Sequence, residues 1–194
     1  MHLPKIVAHC YKMLHIGLVV EKSLYSAGLD QVLPRQASSP VFLDDAQIAS
    51  EPGFKSLVNY LGSISPSGGL ARRADISPSR IKPLLPDIFI LELVRKDGEI
   101  TDLTLRLMGT RLARFYGERT GQSVSTLENA DVIKRVFMTA KECADKQKNI
   151  GITVAILAGD QQYLQASALY CPLVGNSGQI DQIIGLAINR STID

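Results

Sequence analysis

The chain has few of the residues that metal sites and redox motifs require. Its 194 residues include three cysteines and three histidines. Cys10, Cys143 and Cys171 lie far apart and form no C-x-x-C pair, and every histidine lies in the first fifteen residues. Zinc ribbons, thioredoxin-like motifs and disulfide frameworks are therefore poorly supported, and no metal site is predicted. Unpaired thiols favour a reducing compartment.

Charge of one sign and long apolar runs are also scarce. Twenty-one Lys and Arg against nineteen Asp and Glu give a net charge of +2, whereas nucleic-acid binding needs a concentrated basic face. The most apolar early run, residues 16–20, is short, and Lys12 and His15 interrupt its N-terminal side. A membrane span takes about 20 apolar residues, and a signal peptide takes an uninterrupted run of about 7–15. The sequence predicts a cytoplasmic protein that binds neither nucleic acid nor membrane.

Catalytic groups do not come together in the sequence. There is no Gly-x-x-x-x-Gly-Lys phosphate loop, and no Ser-His-Asp set can be assembled when every histidine lies near the N-terminus. Asp44, Asp45 and Asp160 are isolated acids without a second carboxylate placed by spacing. We therefore expect no catalytic residues and no enzyme. A small hydrolase or isomerase remains an alternative, and it requires Arg106 and two acids to converge on a polar cavity.

The chain divides into two regions by pattern. Residues 1–40 are predicted to form an N-terminal helical extension that ends in a proline- and serine-containing linker, residues 34–40. This extension is either partly ordered or the product of an upstream start codon. Residues 41–194 are predicted to form one domain with a core over about 86–190. Near its start, apolar residues at helical spacing over 54–61 form a face that is a candidate contact surface.

The hydrophobic period changes from helical to alternating after residue 87. Asp97-Gly98 favours a two-residue type I′ turn between two strands. A helix with an apolar stripe is predicted over 130–147, and three further strands over 150–158, 161–173 and 180–189. Because hairpin-length links force antiparallel pairing, we expect an α+β fold: a five-stranded antiparallel sheet with helices on one face.

Two finer patterns concern local geometry. Alternation in the second strand places Leu105 and Leu107 on one face and Arg106 on the other. Ser125-x-x-Glu128 matches a capping box, which precedes the long helix predicted from about residue 130.

Five short motifs follow one another between residues 73 and 173. They are Arg73-x-Asp75-Ile76-x-Pro78, Leu84-Leu85-Pro86, Arg106-x-x-Gly109-Thr110, Tyr116-Gly117 followed by Thr120-Gly121, and Cys171-Pro172-Leu173. In their order and spacing they resemble the PAS domain superfamily, and most closely a bacterial branch first catalogued as a domain of unknown function. Tyr116 and Cys171 depart from that branch, which has Phe and Leu at these positions. The resemblance covers about residues 54–188.

The resemblance implies a ligand-sensing or protein-interaction module in bacterial signal transduction. PAS domains can hold a small molecule or cofactor between the sheet and the interposed helices, and their flanking helices commonly mediate dimerisation. The expected partners are therefore a small ligand, another signalling protein that supplies the output, and a second copy of the chain. A ligand-free dimerisation scaffold is the alternative, and a pocket above about 300 Å³ would favour ligand binding.

The cofactor stays unidentified, although two classes are disfavoured. PAS haem sensors usually ligate iron through a histidine on the interposed helices, and no histidine follows His15. A photoactive flavin site needs a cysteine just after the first interposed helix, and residues 117–122 contain none. Cys143 lies instead on the apolar stripe of the long helix, where a thiol packs as a small hydrophobe.

Six residues are candidates for binding a ligand because they combine a cation, a hydroxyl group and aromatic rings. They are Arg106, Thr110, Phe115, Tyr116, Phe137 and Tyr163. The Arg106 guanidinium suits an anion clamp, but an internal ion pair that holds the turn at Gly109 is the favoured interpretation. The aromatic residues suit a cavity wall, although such residues more often form core.

Overall fold

The computed structural model describes residues 36–37, 39–66, 69–158 and 162–191. Most of the predicted extension, residues 1–35, lies outside the described residues. Its helical character and its boundary with the domain therefore stay predictions. The predicted hairpin turn at Gly159-Asp160 also lies outside the described residues.

Seven described strands form one antiparallel sheet. They are β1 (Gln36–Ala37), β2 (Val41–Leu43), β3 (Ile88–Lys96), β4 (Glu99–Met108), β5 (Ile150–Ala158), β6 (Gln162–Val174) and β7 (Ile180–Ser191). The order across the sheet is β1-β5-β6-β7-β3-β4, and β2 also pairs with β5. The five long strands and their antiparallel pairing confirm the predicted α+β fold. The two short strands extend that sheet along β5, and β1 lies within the predicted linker.

Helices pack on both faces of this sheet. The α-helices are α1 (Asp45–Ser50), α2 (Pro52–Ile64), α3 (Thr110–Tyr116) and α4 (Ala130–Lys146). The interposed helices α3 and α4 cover one face, as predicted, together with a 3₁₀ helix over Val124–Thr126. On the other face lie α1, α2 and a 3₁₀ helix over Pro78–Asp87. We call these the inner and the outer face.

Helix α2 belongs to the core of the domain. Phe54 and Leu57 are fully buried, and they pack in one cluster with Ile184 and Leu186 of β7. The apolar side of residues 54–61 is thus covered by the chain's own sheet. Its interpretation as a contact surface for another molecule is corrected accordingly.

Two turns account for particular residues of the sequence, Asp97-Gly98 and Gly109. Asp97 and Gly98 both have positive φ, 53° and 84°, which confirms the predicted type I′ turn. At Gly109, a Cβ atom would overlap the carbonyl oxygens of Leu85 and Pro86. The glycine of the R-x-x-G-T motif therefore allows two backbone segments to touch where β4 enters α3.

A β-bulge changes the predicted facing of β4. Ile90 pairs with Leu107 whereas Leu91 pairs with Leu105, so Arg106 is the extra residue of the bulge. Leu105 packs on the inner face and Leu107 on the outer face. Strict alternation was therefore the wrong expectation beyond Leu105, because one inserted residue moves every later side chain to the opposite face.

Helix α4 begins at Ala130, as predicted, but the capping box at Ser125-x-x-Glu128 does not cap it. Asn129 is the N-cap residue, and its Oδ1 accepts hydrogen bonds from the amides of Asp131 at 3.0 Å and Val132 at 3.1 Å. The Ser125 hydroxyl instead donates to Asp102 Oδ2 at 2.9 Å. The N-cap lies four residues after Ser125, and the Asn129 carboxamide satisfies the first amides of the helix because it is the nearest acceptor.

Candidate ligand-binding site

A cavity of about 190 Å³ lies between the inner face of the sheet and the interposed helices. Its walls come from strands β3 to β7, from α3 and α4, and from the segment that joins these helices. The lining residues are Phe89, Leu91, Leu105, Met108, Leu112, Phe115, Tyr116, Arg119, Val124, Leu127, Glu128, Asn129, Val132, Arg135, Val136, Ile152, Val154, Ala166, Ser167, Ala168, Tyr170, Ala187 and Asn189.

Small residues on the sheet leave room for this cavity. Ala166 and Ala168 of β6 and Ala187 of β7 line it at positions where larger side chains would reach the helices. Gly185 continues the same row on β7, and a Cβ atom there would overlap the ring of Phe89. That ring meets Tyr170 edge to face, with the ring centroids 5.1 Å apart. The floor of the cavity is therefore apolar and aromatic.

Polar groups gather at the Tyr116 side of the cavity. The Tyr116 hydroxyl donates a hydrogen bond to Asn189 Oδ1 at 3.3 Å, which links α3 to β7. Burial raises the pKa of Tyr116 above its ordinary value, while the Asn189 hydrogen bond and the Arg135 charge act in the opposite direction. Burial likewise raises the pKa of Tyr170, and Arg135 again opposes the shift. The phenols stay neutral, and the Arg135 charge acts on both.

Two further charges line the cavity and neutralise each other. Arg119 Nη2 lies 3.7 Å from Glu128 Oε1. Glu128 is largely exposed, so this pair lies where the cavity meets solvent. Glu128 is also the one acidic residue among the lining side chains.

The structure places two of the six predicted ligand-binding residues at the cavity. Phe115 and Tyr116 line the cavity, with ring centroids 4.7 Å apart. Thr110 is exposed at the first position of α3, and Phe137 is half-buried beside the inner core; neither lines the cavity. The side chain of Tyr163 lies outside the described residues.

Arg106, the sixth candidate, lies away from the cavity. Its Nε is 2.8 Å from Glu92 Oε2, and its side chain is 53% exposed. The structure thus shows an ion pair of Arg106 with Glu92, whereas its role in holding the Gly109 turn stays a prediction. Among the described residues, Glu92 is the one carboxylate within 4.0 Å of the Arg106 guanidinium.

Replacing Arg106 with glutamine is expected to change the free energy of unfolding by less than about 1 kcal/mol. Ion pairs between solvent-exposed side chains contribute little because water already solvates both charges. Guanidinium denaturation of the two proteins measures the difference. A loss of several kcal/mol would show that the pair holds the bulge and the Gly109 turn together.

Several lining residues escaped the sequence analysis. Phe89 and Leu91 lie on one face of a strand that is apolar on both faces. The sequence pattern therefore does not show which face of the strand borders the cavity. Arg135 and Asn189 are single polar residues at the edge of apolar patterns. The alanines at every second position of β6 were the one available signal, since small residues on a covered face leave space.

The two described cysteines are buried thiols. The Cys143 Sγ donates to the carbonyl oxygen of Tyr170 at 3.5 Å. Burial raises the pKa of Cys143 to about 12 and the pKa of Cys171 well above its usual value. Both thiols therefore stay protonated at neutral pH, and neither is a nucleophile there.

We expect neither Cys143 nor Cys171 to react with a disulfide reagent at pH 8 in a folded Cys10→Ser variant, whereas both react in guanidinium. The raised folded-state pKa also fixes the sign of the pH dependence. The stability contribution of the buried thiols is constant below the unfolded value near 9 and is lost as the pH rises toward 12. Rapid labelling of the folded protein at pH 8 would contradict the buried packing.

Searches of the described residues for two other features are negative. Within that part of the chain, no group of three or more His, Cys, Asp or Glu side chains is placed to hold a metal ion. No helix there has the length and apolar character needed to cross a membrane.

The sequence match to a family agrees with this architecture. A family model described as "PAS domain" matches residues 51–188. The chain therefore belongs to the PAS domain family. PAS domains are in general sensory or interaction modules. A comparison with curated proteins gave no match.

Several solved structures are similar to the chain. The PAS domain of a protein from Colwellia psychrerythraea has 17% identity and a TM-score of 0.39, over 58% of this chain and 93% of that one. Drosophila melanogaster Cycle PAS-B with bound glycerol has 16% identity and a TM-score of 0.34, over 53% and 98%. The LOV domain of the blue-light photoreceptor Aureochrome1 has 10% identity and a TM-score of 0.38, over 60% and 90%. Family membership rests on the match over residues 51–188.

Proposed function

We propose that this PAS domain is a ligand-sensing module that binds a small, largely apolar molecule between its sheet and helices α3 and α4. The observation that supports the proposal is the apolar cavity of about 190 Å³. Protein interiors are close-packed, and a hollow of this size lowers stability unless something fills it. An apolar cavity of about 150 Å³ is large enough for benzene. The expected ligand therefore has about the size of benzene or slightly more.

The cavity is smaller than the size that was expected to favour a ligand over a scaffold. Sites for drug-sized ligands occupy about 300–1,000 Å³, and a cavity of about 190 Å³ does not reach that criterion. The proposal therefore concerns a ligand smaller than drug size. A flavin or a haem needs more space than this hollow offers. The scaffold without a ligand is consequently the rival, and binding of a small probe decides between the two.

The proposed output is a change in how the domain contacts another protein in bacterial signalling. Helix α3 and the segment after it line the cavity and also carry exposed side chains, so a bound molecule would contact elements that reach the surface. Exposed apolar side chains suited to a protein partner or a second copy are Val41, Phe42 and Met138, each more than half exposed. The proposal includes a cytoplasmic location, in keeping with free buried thiols.

The proposal contains no catalytic step. Glu128 is the one acid at the cavity, and it pairs with Arg119. General acid–base chemistry needs positioned groups whose protonation states differ, and the neutral phenols of Tyr116 and Tyr170 have no carboxylate beside them in this lining.

Cavity filling tests the proposal. We expect benzyl alcohol, a neutral probe of suitable size, to raise the unfolding temperature of the wild-type chain. At ten times its Kd the gain in unfolding free energy is about 1.4 kcal/mol. Ala168→Leu places a larger side chain inside the cavity, and this variant should fold but gain nothing from the probe. Ala49→Leu, at an exposed position of α1, is the matched control and should respond as the wild type does.

The rival predicts another pattern in the same experiment. A packed scaffold gives no probe-dependent shift in any of the three proteins, and that result would overturn the proposal. Equal shifts in the wild type and Ala168→Leu would place binding elsewhere and would overturn it as well.

A further inference from the structure

One charge at the cavity has no partner. Arg119 pairs with Glu128 at 3.7 Å. Arg135 also lines the cavity, and it has no carboxylate within 4.0 Å and no hydrogen bond among the residues that the structure describes. It lies on α4 beside Val132 and Val136, which also line the cavity, and it is half-buried. The lining therefore carries one uncompensated positive charge.

Asn189 supplies a second donor to the cavity lining. The Tyr116 hydroxyl donates to Asn189 Oδ1, so the Asn189 carboxamide is held by its oxygen. Its Nδ2 hydrogens have no acceptor among the described residues. Arg135, Asn189 and Tyr116 all line the cavity, and the Arg135 charge acts on Tyr116 as well. Two elements, α4 and β7, thus bring an unpaired guanidinium and an unused amide donor to the wall of an apolar hollow.

We infer that the cavity takes a small apolar carboxylate, with its carboxylate group on Arg135 and Asn189 and its apolar body against Phe89 and Leu91. This inference rests on the proposed ligand-sensing function and specifies the chemical class of the ligand. A ring or a short branched chain of about six to eight carbon atoms fits the volume, which slightly exceeds that of a benzene-sized cavity.

The chemistry of the donors selects a carboxylate over other polar groups. A guanidinium presents its N–H groups in a planar fork that matches the two oxygens of a carboxylate. Water is scarce beside an apolar wall, so the attraction between the two charges is stronger there than at the surface. A phosphate dianion would leave one negative charge uncompensated, since the other lining arginine is already paired. A neutral ligand would leave the donors of Arg135 unused.

Two probes of similar shape test the inference. Benzoate and benzyl alcohol differ mainly in charge, and NMR titration of the full chain gives a Kd for each. We expect benzoate to bind at least tenfold more tightly than benzyl alcohol. Arg135→Met keeps an apolar stem but removes the charge, and it should weaken benzoate by about tenfold to a hundredfold. The same variant should change the Kd of benzyl alcohol by less than twofold.

A matched control uses Arg114, an exposed arginine of α3. Arg114 lies outside the cavity lining, so Arg114→Met should leave both Kd values unchanged. Comparing the two probes on the wild-type chain needs no variant, so the test stands if Arg135→Met does not fold. Equal binding of both probes, or an unchanged benzoate Kd in Arg135→Met, would overturn the carboxylate inference and leave the cavity function intact. If neither benzoate nor benzyl alcohol binds, the proposed function itself is overturned.

Discussion

Replacing Gly109 with alanine is expected to lower the free energy of unfolding by about 3 kcal/mol or more. The added Cβ atom would overlap the carbonyl oxygens of Leu85 and Pro86, which are backbone atoms. A flexible side chain can move aside, but two backbone carbonyls move only with the whole 3₁₀ helix that carries them. The φ and ψ of Gly109, −65° and 152°, suit alanine, so the expected loss is steric rather than conformational.

The same substitution elsewhere in the chain supplies the control. Gly62 lies within α2, and nothing lies within 4 Å of a Cβ atom built there. Alanine favours a helix over glycine by about 1 kcal/mol, so Gly62→Ala should leave stability unchanged or raise it. Guanidinium denaturation of both variants measures the contrast. A Gly109→Ala protein as stable as the wild type would show that the two segments do not touch.

Leu57→Ala is expected to lower the free energy of unfolding by about 2–5 kcal/mol. Leu57 is fully buried between α2 and the outer face of the sheet. Removing its side chain loses apolar burial and leaves a hollow that the surrounding strands fill only in part. Unfolding should stay a single transition, because α2 and the sheet share one core.

An exposed residue of the same helix serves as the control for Leu57. Asn59→Ala should change stability by less than about 0.5 kcal/mol. Denaturation monitored by far-UV circular dichroism compares the three proteins. A loss below 1 kcal/mol in Leu57→Ala would indicate that α2 is an appendage and not a part of the domain core.

Local signals in the sequence predicted the five long strands and the hairpins that pair β3 with β4, β5 with β6 and β6 with β7. They did not predict the pairing of β3 with β7, which joins these hairpins into one sheet. Asp97-Gly98 required a tight turn of one type, and the positive φ values of both residues show that turn. Strands joined by such turns have no choice but antiparallel pairing. These features depend on residues that are adjacent in the chain, so they can be predicted from the sequence alone.

The features that the sequence analysis missed depend on distant contacts. Nothing near Arg106 in the chain marks the bulge, which arises from how β4 aligns with β3. The covering of the outer face by α2 depends on packing against β7, more than a hundred residues later. In the sequence, Arg135 looks like a solvent-exposed residue of α4. The helical pattern does not show that this side of the helix borders the cavity.

The candidate site shows the same division. Phe115 and Tyr116 lie in a recognisable motif, and the structure places both at the cavity. Arg106 belongs to a motif as well, but it pairs with Glu92 and lies outside the cavity lining. Motif membership therefore did not distinguish the residues that border the hollow from those that lie away from it.

An NMR titration with benzyl alcohol tests the central claim, that the space between the sheet and the interposed helices accepts a small molecule. The account predicts saturable shifts of amides around the cavity, in particular those of Phe89, Tyr116 and Ala187, and little change at Leu57 on the outer face. Shifts confined to the outer face, or no saturable shift at any amide, would contradict it.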